Sequence, residues 1–170
     1  MAQDIEQARK KIDNTFLKRH LNSQSYQAWS ESCNEFRNLW DKYHNNHQLY
    51  PNELKLKHGD LSSIQVTLNY LAADPLYFSS GYKKELLTRR LKQLGSTKRE
   101  IFSEKQVEQL NLILLHKVKS GFSREFRYYC RLAQVFCSQS LVKQLGQLSC
   151  SPDLKTRLQA YWMLNYLSSK

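Results

Sequence analysis

Three polar side chains near the end of a predicted long helix have a spacing that could support metal or acid–base chemistry. Asp41, His44 and His47 lie three residues apart, close to one face of a helix, and His58 follows in the next loop. A metal centre built from carboxylate–histidine pairs on bundle helices needs two such pairs and two further glutamates, and the sequence supplies one pair. We therefore interpret these histidines as hydrogen-bonded or solvent-facing residues and predict no metal site.

Cys130 and Glu125 are the remaining candidates for catalysis. Arg127 and Arg131 flank Cys130 on a predicted helix and could lower the pKa of its thiol. However, Cys130 lies on the apolar stripe of that helix, which favours an inert core thiol, and Glu125 beside the arginines is interpreted as an ion-pair partner. Because the sequence also lacks the glycine-rich phosphate loop, the nucleophile elbow and zinc-ligand spacing, we predict no catalytic residue and no cofactor.

Positive charge is concentrated in the segment 80–136. The chain has 26 Lys and Arg against 15 Asp and Glu, a net charge of +11. This segment holds 13 basic and five acidic residues, which is a surplus of +8. A surplus of this kind carries information about the partner of a protein and not about its fold.

The basic residues of this segment form stripes on two predicted helices. Arg124, Arg127 and Arg131 share one side of helix 123–137, and Arg89 and Lys92 form a similar pair on helix 80–94. If the two helices stack, the stripes form a positive groove of the kind that binds a phosphate backbone, and arginine suits this because its guanidinium can bind two phosphate oxygens at once.

A second anion-binding feature is predicted where helix 80–94 begins. The sequence SSGYKK at 79–84 would expose free backbone N–H groups next to Lys83 and Lys84. Aromatic residues nearby could stack on bases. The predicted polyanion-binding residues are Lys83, Lys84, Arg89, Lys92, Arg124, Arg127 and Arg131, and the stacking candidates are Tyr82 and Tyr128.

The elements that must hold these side chains are helices. Gly and Pro together are 8 of 170 residues, too few for the turns of an all-β domain, and nearly every segment repeats its apolar residues with a period of 3.6. The pattern is clearest over 25–47, which Pro51 follows. The sequence predicts an all-α protein with about eight helices, at 3–21, 25–47, about 60–73, 80–94, 104–118, 123–137, 139–148 and 152–167.

Several residues are predicted to begin or end these helices. Gly95 is expected at the C-cap of helix 80–94, and Ser103 with Gln106 forms a capping box. The sequence Ser-Pro-Asp at 151–153 places a serine N-cap and a proline at the first helical position of the last helix. The side chains of this helix that are expected to pack inward are Leu154, Leu158, Tyr161, Trp162 and Leu164.

A short motif occurs twice in the C-terminal half. LKQLG at 91–95 recurs as VKQLG at 142–146, and each copy precedes a serine-started helix. The offset of about 50 residues falls close to the range of paired-helix repeats. The segment 151–167, with Asp153 after a turn and Arg157 one turn later, resembles a HEAT-type repeat. This resemblance covers about 80–168 and implies HEAT-like helical hairpins in a short α–α superhelix; an irregular helical bundle is the alternative.

These observations lead to one functional prediction and two alternatives. We predict a single helical domain over 1–170, and a subdivision into 1–78 and 79–170 is the alternative. We also predict that the protein is located in the cytoplasm, because no signal segment, membrane span or Cys-x-x-Cys pair is present. The predicted function is a non-catalytic module that docks a polyanion, above all a nucleic-acid backbone. The alternatives are a protein–protein adaptor with an acidic partner, and an enzyme with Glu125 as the acid in the basic groove.

Overall fold

A computed structural model describes residues 2–46, 48–75 and 80–169, with the side chains of residues 2 and 3 excepted. Within these residues the chain forms nine α-helices and no strand, which confirms the predicted all-α class. A 3₁₀ turn, Arg99–Ile101, separates the fifth and sixth helices. The helices are α1 (Ala2–Phe16), α2 (Ser23–His44), α3 (Glu53–Lys57), α4 (Leu61–Ala73), α5 (Ser80–Thr97), α6 (Glu104–Lys119), α7 (Phe126–Phe136), α8 (Gln139–Leu148) and α9 (Leu154–Ser168).

Local capping explains where several helices begin. The predicted capping box is present, since Ser103 and Gln106 exchange hydrogen bonds between side chain and backbone. The prediction that Ser151 is the N-cap of α9 is wrong. Asp153 is the N-cap and accepts a hydrogen bond from the Thr156 N–H, while the Ser151 hydroxyl accepts a hydrogen bond from the Asp153 N–H before the helix begins. Pro152 therefore precedes the helix. The short helix α3 was not predicted, because five residues are too few to show a period.

Gly95 lies inside α5 and does not cap it, so this prediction is also wrong. Its position is buried against α7, where an added Cβ atom would come 2.4 Å from Cζ of Phe136 and 2.7 Å from Cγ1 of Val135. Phe136 is itself fully buried and cannot move aside. The missing side chain at position 95 is therefore what allows α5 and α7 to approach closely.

Replacing Gly95 with alanine should lower the free energy of unfolding by about 1–3 kcal/mol, because the new methyl group overpacks a rigid contact. Gly146 is the matched control: it also lies within a helix, but a Cβ atom there would meet nothing within 4 Å. Gly146→Ala should stabilise the protein by about 0.5–1 kcal/mol through helix propensity. Urea denaturation of both variants measures the difference, and equal effects at the two positions would contradict the close α5–α7 contact.

The buried side chains form one hydrophobic cluster that extends along the chain from Ile5 to Met163. In this cluster α5 packs on α7, and α7 also contacts α6 and α9. The apolar side of α7 is completely enclosed: Tyr129, Leu132, Ala133 and Phe136 are fully buried. Because that side of α7 faces the core, its two arginines, Arg127 and Arg131, are exposed at the surface.

The first two helices are joined to the rest of the protein by aromatic side chains. Helix α1 packs mainly on α2. At the last two turns of α2, the rings of Tyr43 and His44 contact Tyr50, with centroid separations of 5.4 Å and 4.5 Å, and Tyr50 in turn contacts Tyr70 of α4 at 5.8 Å. Trp40 also contacts Tyr50. We call these five residues the aromatic cluster.

Candidate functional site

Five of the seven predicted basic residues either line the junction of α5 and α7 or contact a tyrosine of one of these helices. We call them the α5–α7 basic face: Arg89, Lys92, Arg124, Arg127 and Arg131. Three of them line one pocket of about 380 Å³ between the two helices. Its lining residues are Thr88, Arg89, Lys92, Gln93, Ser96, Thr97, Tyr128 and Arg131. Side chains that are about 40 residues apart in the sequence thus meet on one surface, as the predicted groove requires.

Two tyrosines hold the guanidinium groups of this face. Arg127 donates a hydrogen bond of 2.9 Å to the Tyr128 hydroxyl, and the Cζ atoms of Arg127 and Arg131 lie 4.8 Å and 5.7 Å from the Tyr128 ring centroid. Arg124 donates a hydrogen bond of 2.8 Å to the Tyr82 hydroxyl, and its Cζ atom lies 4.4 Å from that ring. Hydrogen bonds and cation–π contacts therefore fix three arginines before any ligand binds.

These contacts correct part of the predicted stacking surface. Tyr128 is only 9% exposed and lies under the arginines, so it cannot stack on a base. Tyr82 is 61% exposed, although Arg124 lies over its ring.

Little negative charge faces the basic side chains. Among the ion pairs of the described residues, the one that includes a member of this face joins Arg89 to Glu85, with 3.9 Å between Nη1 and Oε1. Arg89 remains 63% exposed in its side chain, and an exposed pair one helical turn apart contributes only about 0.3–0.5 kcal/mol. The face therefore keeps most of its positive charge for a ligand.

The prediction that Lys83 and Lys84 bind a polyanion is wrong, because both ammonium groups already have carboxylate partners. Lys84 is 1% exposed, and its Nζ atom lies 2.6 Å from Oδ1 of Asp74. Lys83 Nζ lies 2.5 Å from Oε1 of Glu53 in α3. Successive helix positions point about 100° apart, so the two lysines reach different neighbours. Of the predicted SSGYKK anion site, Ser79 lies outside the described residues and Ser80 is buried.

Lys84 belongs to a group of four charges in the interior, which we call the buried charge cluster: Asp74, Lys84, Lys117 and Glu125. Lys117 donates hydrogen bonds of 2.8 Å and 2.9 Å to the two carboxylate oxygens of Asp74. Glu125 Oε1 lies 3.6 Å from Lys117 Nζ and 3.8 Å from Lys84 Nζ. Two positive and two negative charges balance, so the cluster has no net charge.

The buried charge cluster changes the interpretation of Glu125. This residue is an ion-pair partner, as the sequence predicts, but its partners are two lysines and not the arginines of α7. Glu125 is 7% exposed and is not the acid in a basic groove that the enzyme alternative requires. The sequence could not show the buried charge cluster, because its four residues are far apart in the chain and belong to four different helices or their caps.

The other catalytic candidates are also used in packing. Cys130 is 1% exposed, and burial raises the pKa of its thiol to about 12, so the thiol stays protonated at neutral pH. This agrees with the predicted inert core thiol. His44 packs on Tyr50 in the aromatic cluster, while His47 lies outside the described residues. Within the described part of the chain, no three His, Cys, Asp or Glu side chains are grouped as metal ligands would be.

A second pocket, of about 220 Å³, adjoins the basic face and was not predicted. Arg124 and Arg127 line it together with Phe122, Phe126, Cys130, Trp162 and Tyr166. Trp162 is 47% exposed, so the prediction that it packs inward with Leu154, Leu158 and Tyr161 is wrong for all four. The buried side of α9 consists instead of Thr156, Gln159, Ala160 and Met163.

Comparison of the chain with protein-family models, with curated proteins and with solved structures gives no significant match. Among the described helices, none has both the length and the apolar character needed to cross a membrane.

Proposed function

We propose that the protein binds nucleic acid through the α5–α7 basic face, mainly by contacts with phosphate oxygens. The observation that carries this proposal is the convergence of Arg89, Lys92 and Arg131, from two helices, on one pocket. A single charged stripe on one helix would be an ordinary solvated surface. Two stripes that meet across a groove, with one carboxylate nearby, give a field suited to a chain of phosphates.

The contacts with tyrosine support binding to phosphate rather than a general surface role. A free arginine side chain loses about 2 kcal/mol of rotamer freedom when it is immobilised. Arg127 and Arg124 have already lost part of this freedom through their hydrogen bonds to Tyr128 and Tyr82. Pre-organised guanidinium groups bind phosphate oxygens at a lower entropic cost.

Binding of a labelled mixed-sequence oligonucleotide, measured by fluorescence anisotropy at several salt concentrations, tests the proposal. If all five basic residues contact phosphates, log K should fall with log salt with a slope of about −3.5 for a single strand and about −4.5 for a duplex. This corresponds to a loss of roughly 100- to 500-fold in affinity between about 50 and 200 mM salt. Absence of binding at the lowest salt, or a slope near zero, would exclude the proposed function.

A protein–protein adaptor is the second candidate. It is favoured by apolar side chains exposed at the far end of the α1–α2 pair, where Leu17 is 84% and Leu21 is 73% exposed. An adaptor should retain an acidic protein in a pull-down after nuclease treatment, whereas a nucleic-acid-binding protein should lose its co-purifying material.

We also infer that the protein acts in the cytoplasm. All four cysteines are free, and Cys137 and Cys150 are exposed. Exposed thiols of this kind persist in a reducing compartment. Fractionation of cells with an antibody to the protein tests this location, and recovery in a secreted or periplasmic fraction would contradict it.

A further inference from the structure

We propose that the nucleic acid is single-stranded, and that an unpaired base stacks on the aromatic pair formed by Phe122 and Trp162. This inference rests on the proposed function and adds the class of ligand. It is drawn from the second pocket, whose two exposed aromatic rings, Phe122 and Trp162, play no part in the phosphate contacts of the basic face.

The aromatic pair is built from two separate parts of the chain. Phe122 lies in the turn between α6 and α7, directly after Gly121, whose φ of +89° suits a residue without a side chain. Trp162 lies on α9. The two ring centroids are 5.3 Å apart with an angle of 53° between the planes, so the rings contact each other and form a platform rather than a clamp.

Both rings of the platform are accessible to a ligand. Phe122 is 51% exposed and Trp162 is 47% exposed, although each would gain free energy by leaving water. Next to them the pocket is lined by Cys130 and Tyr166, so a planar ligand would meet an apolar floor. In proteins that bind single strands, bases stack on accessible aromatic side chains of this kind.

The charges around the platform favour a nucleotide over an apolar ligand. Arg124 and Arg127 line the same pocket as the two rings. Arg127 is hydrogen-bonded to Tyr128, which lines the first pocket, so a residue of the platform's pocket contacts a residue of the phosphate-binding groove. A ligand with planar apolar faces and a chain of negative charges matches both pockets, and a nucleic-acid strand has this chemistry.

Base pairing decides which nucleic acid can use the platform. In a duplex the faces of the bases are stacked on one another and are closed to side chains, whereas the bases of a single strand are free to stack on aromatic rings. The basic face alone would bind either form. The platform therefore favours the single strand.

The test compares three ligands of about 12 nucleotides: a thymidine homopolymer, an abasic strand with the same number of phosphates, and a duplex. We expect the homopolymer to bind tightest and to quench the tryptophan fluorescence of the wild type, and we expect this quenching to be lost in Trp162→Ala. Trp162→Ala and Phe122→Ala should each weaken binding of the homopolymer by roughly 5- to 150-fold and leave binding of the abasic strand and the duplex unchanged. Circular dichroism checks that the variants are folded.

Tyr161→Ala is the matched control, because Tyr161 is a 56% exposed aromatic residue of the same helix that does not line the pocket. It should not change the affinity for any of the ligands. Equal affinities for the homopolymer and the abasic strand, or no effect of Trp162→Ala and Phe122→Ala, would overturn the stacking inference and leave the proposed function standing. Failure to bind any of the three ligands would overturn both.

Discussion

The variant Asp74→Asn should lose about 3–5 kcal/mol of its free energy of unfolding, because it leaves Lys84 and Lys117 buried with only Glu125 to balance them. The substitution removes the negative charge at position 74 and nearly preserves the shape of the side chain. Asp74 has a φ of 44°, in the left-handed region, and asparagine is one of the few residues that adopts this conformation readily. The expected loss is a large part of the roughly 5–15 kcal/mol that stabilises a typical domain.

Urea denaturation followed by circular dichroism measures this loss, and Asp60→Asn is its control. Asp60 is the N-cap of α4, where its side chain accepts a hydrogen bond from the Ser63 N–H. Asparagine caps a helix as well as aspartate does, so the control should change the free energy of unfolding by less than about 1 kcal/mol. If Asp74→Asn behaves like Asp60→Asn, the buried charge cluster does not stabilise the fold.

The pH dependence provides an independent check on Asp74. Burial on its own raises the pKa of this carboxyl group, but hydrogen bonds from Lys117 and Lys84 outweigh burial, so the pKa lies below the usual 3.8. A group with a lowered pKa in the folded state stabilises the protein above the pKa of the unfolded state. The difference in stability between the wild type and Asp74→Asn should therefore be largest at neutral pH and should shrink as the pH falls below 3.8.

The double variant Arg127→Gln/Arg131→Gln should bind nucleic acid about 25- to 60-fold more weakly at about 0.1 M salt. Each phosphate contact contributes about 0.7 to the salt slope for a single strand and 0.9 for a duplex, and the variant loses two contacts. The slope of log K against log salt should therefore become less steep by about 1.4 to 1.8. The anisotropy titration proposed for the wild type measures both quantities.

The control for this prediction removes the same charge elsewhere. Arg9 and Lys10 of α1 are already paired with Asp13 and Glu6, at 3.5 Å and 3.2 Å. Arg9→Gln/Lys10→Gln should leave the salt slope unchanged. If both double variants lose affinity equally, binding depends on the net charge of the protein and not on the α5–α7 basic face.

The amphipathic pattern of α7 predicts much of this face. Arg124, Arg127 and Arg131 share one stripe of the predicted helix 123–137, and the structure places all three at the surface, with Arg131 beside α5 and Arg124 against Tyr82 of α5. Arg124 lies just before α7 begins. The contact between the two helices was less predictable, because Gly95 has the sequence signature of a helix end and acts instead as a packing position. Lys83 and Lys84 were assigned incorrectly because their partners, Glu53 and Asp74, lie in other elements.

The last helix shows where periodicity gives no answer. Apolar residues occur on all sides of α9, so the sequence offers two possible buried stripes. One contains Leu154, Leu158 and Trp162, and the other contains Ala160 and Met163. Packing against α7 and α8 selects the second set. The exposed Trp162 therefore could not be found from the sequence.

The HEAT-like resemblance of 80–168 stays a prediction. The two glycines of the repeated motif have different surroundings, since Gly95 is enclosed by Phe136 and Val135 while Gly146 faces open space. The two copies of the motif therefore do not pack in the same way at their glycine positions.

The aromatic cluster has a consequence for how the molecule opens. Helices α1 and α2 are held together by their own contacts, including the pair formed by Lys11 and Glu35. Trp40, Tyr43 and His44 of α2 contact Tyr50, and Tyr50 contacts Tyr70 of α4. Separation of these rings from Tyr50 would release both helices as one cooperative unit while the rest of the core stays intact. Amide hydrogens of α1 and α2 would then exchange with solvent together, at a lower free energy than those of α7.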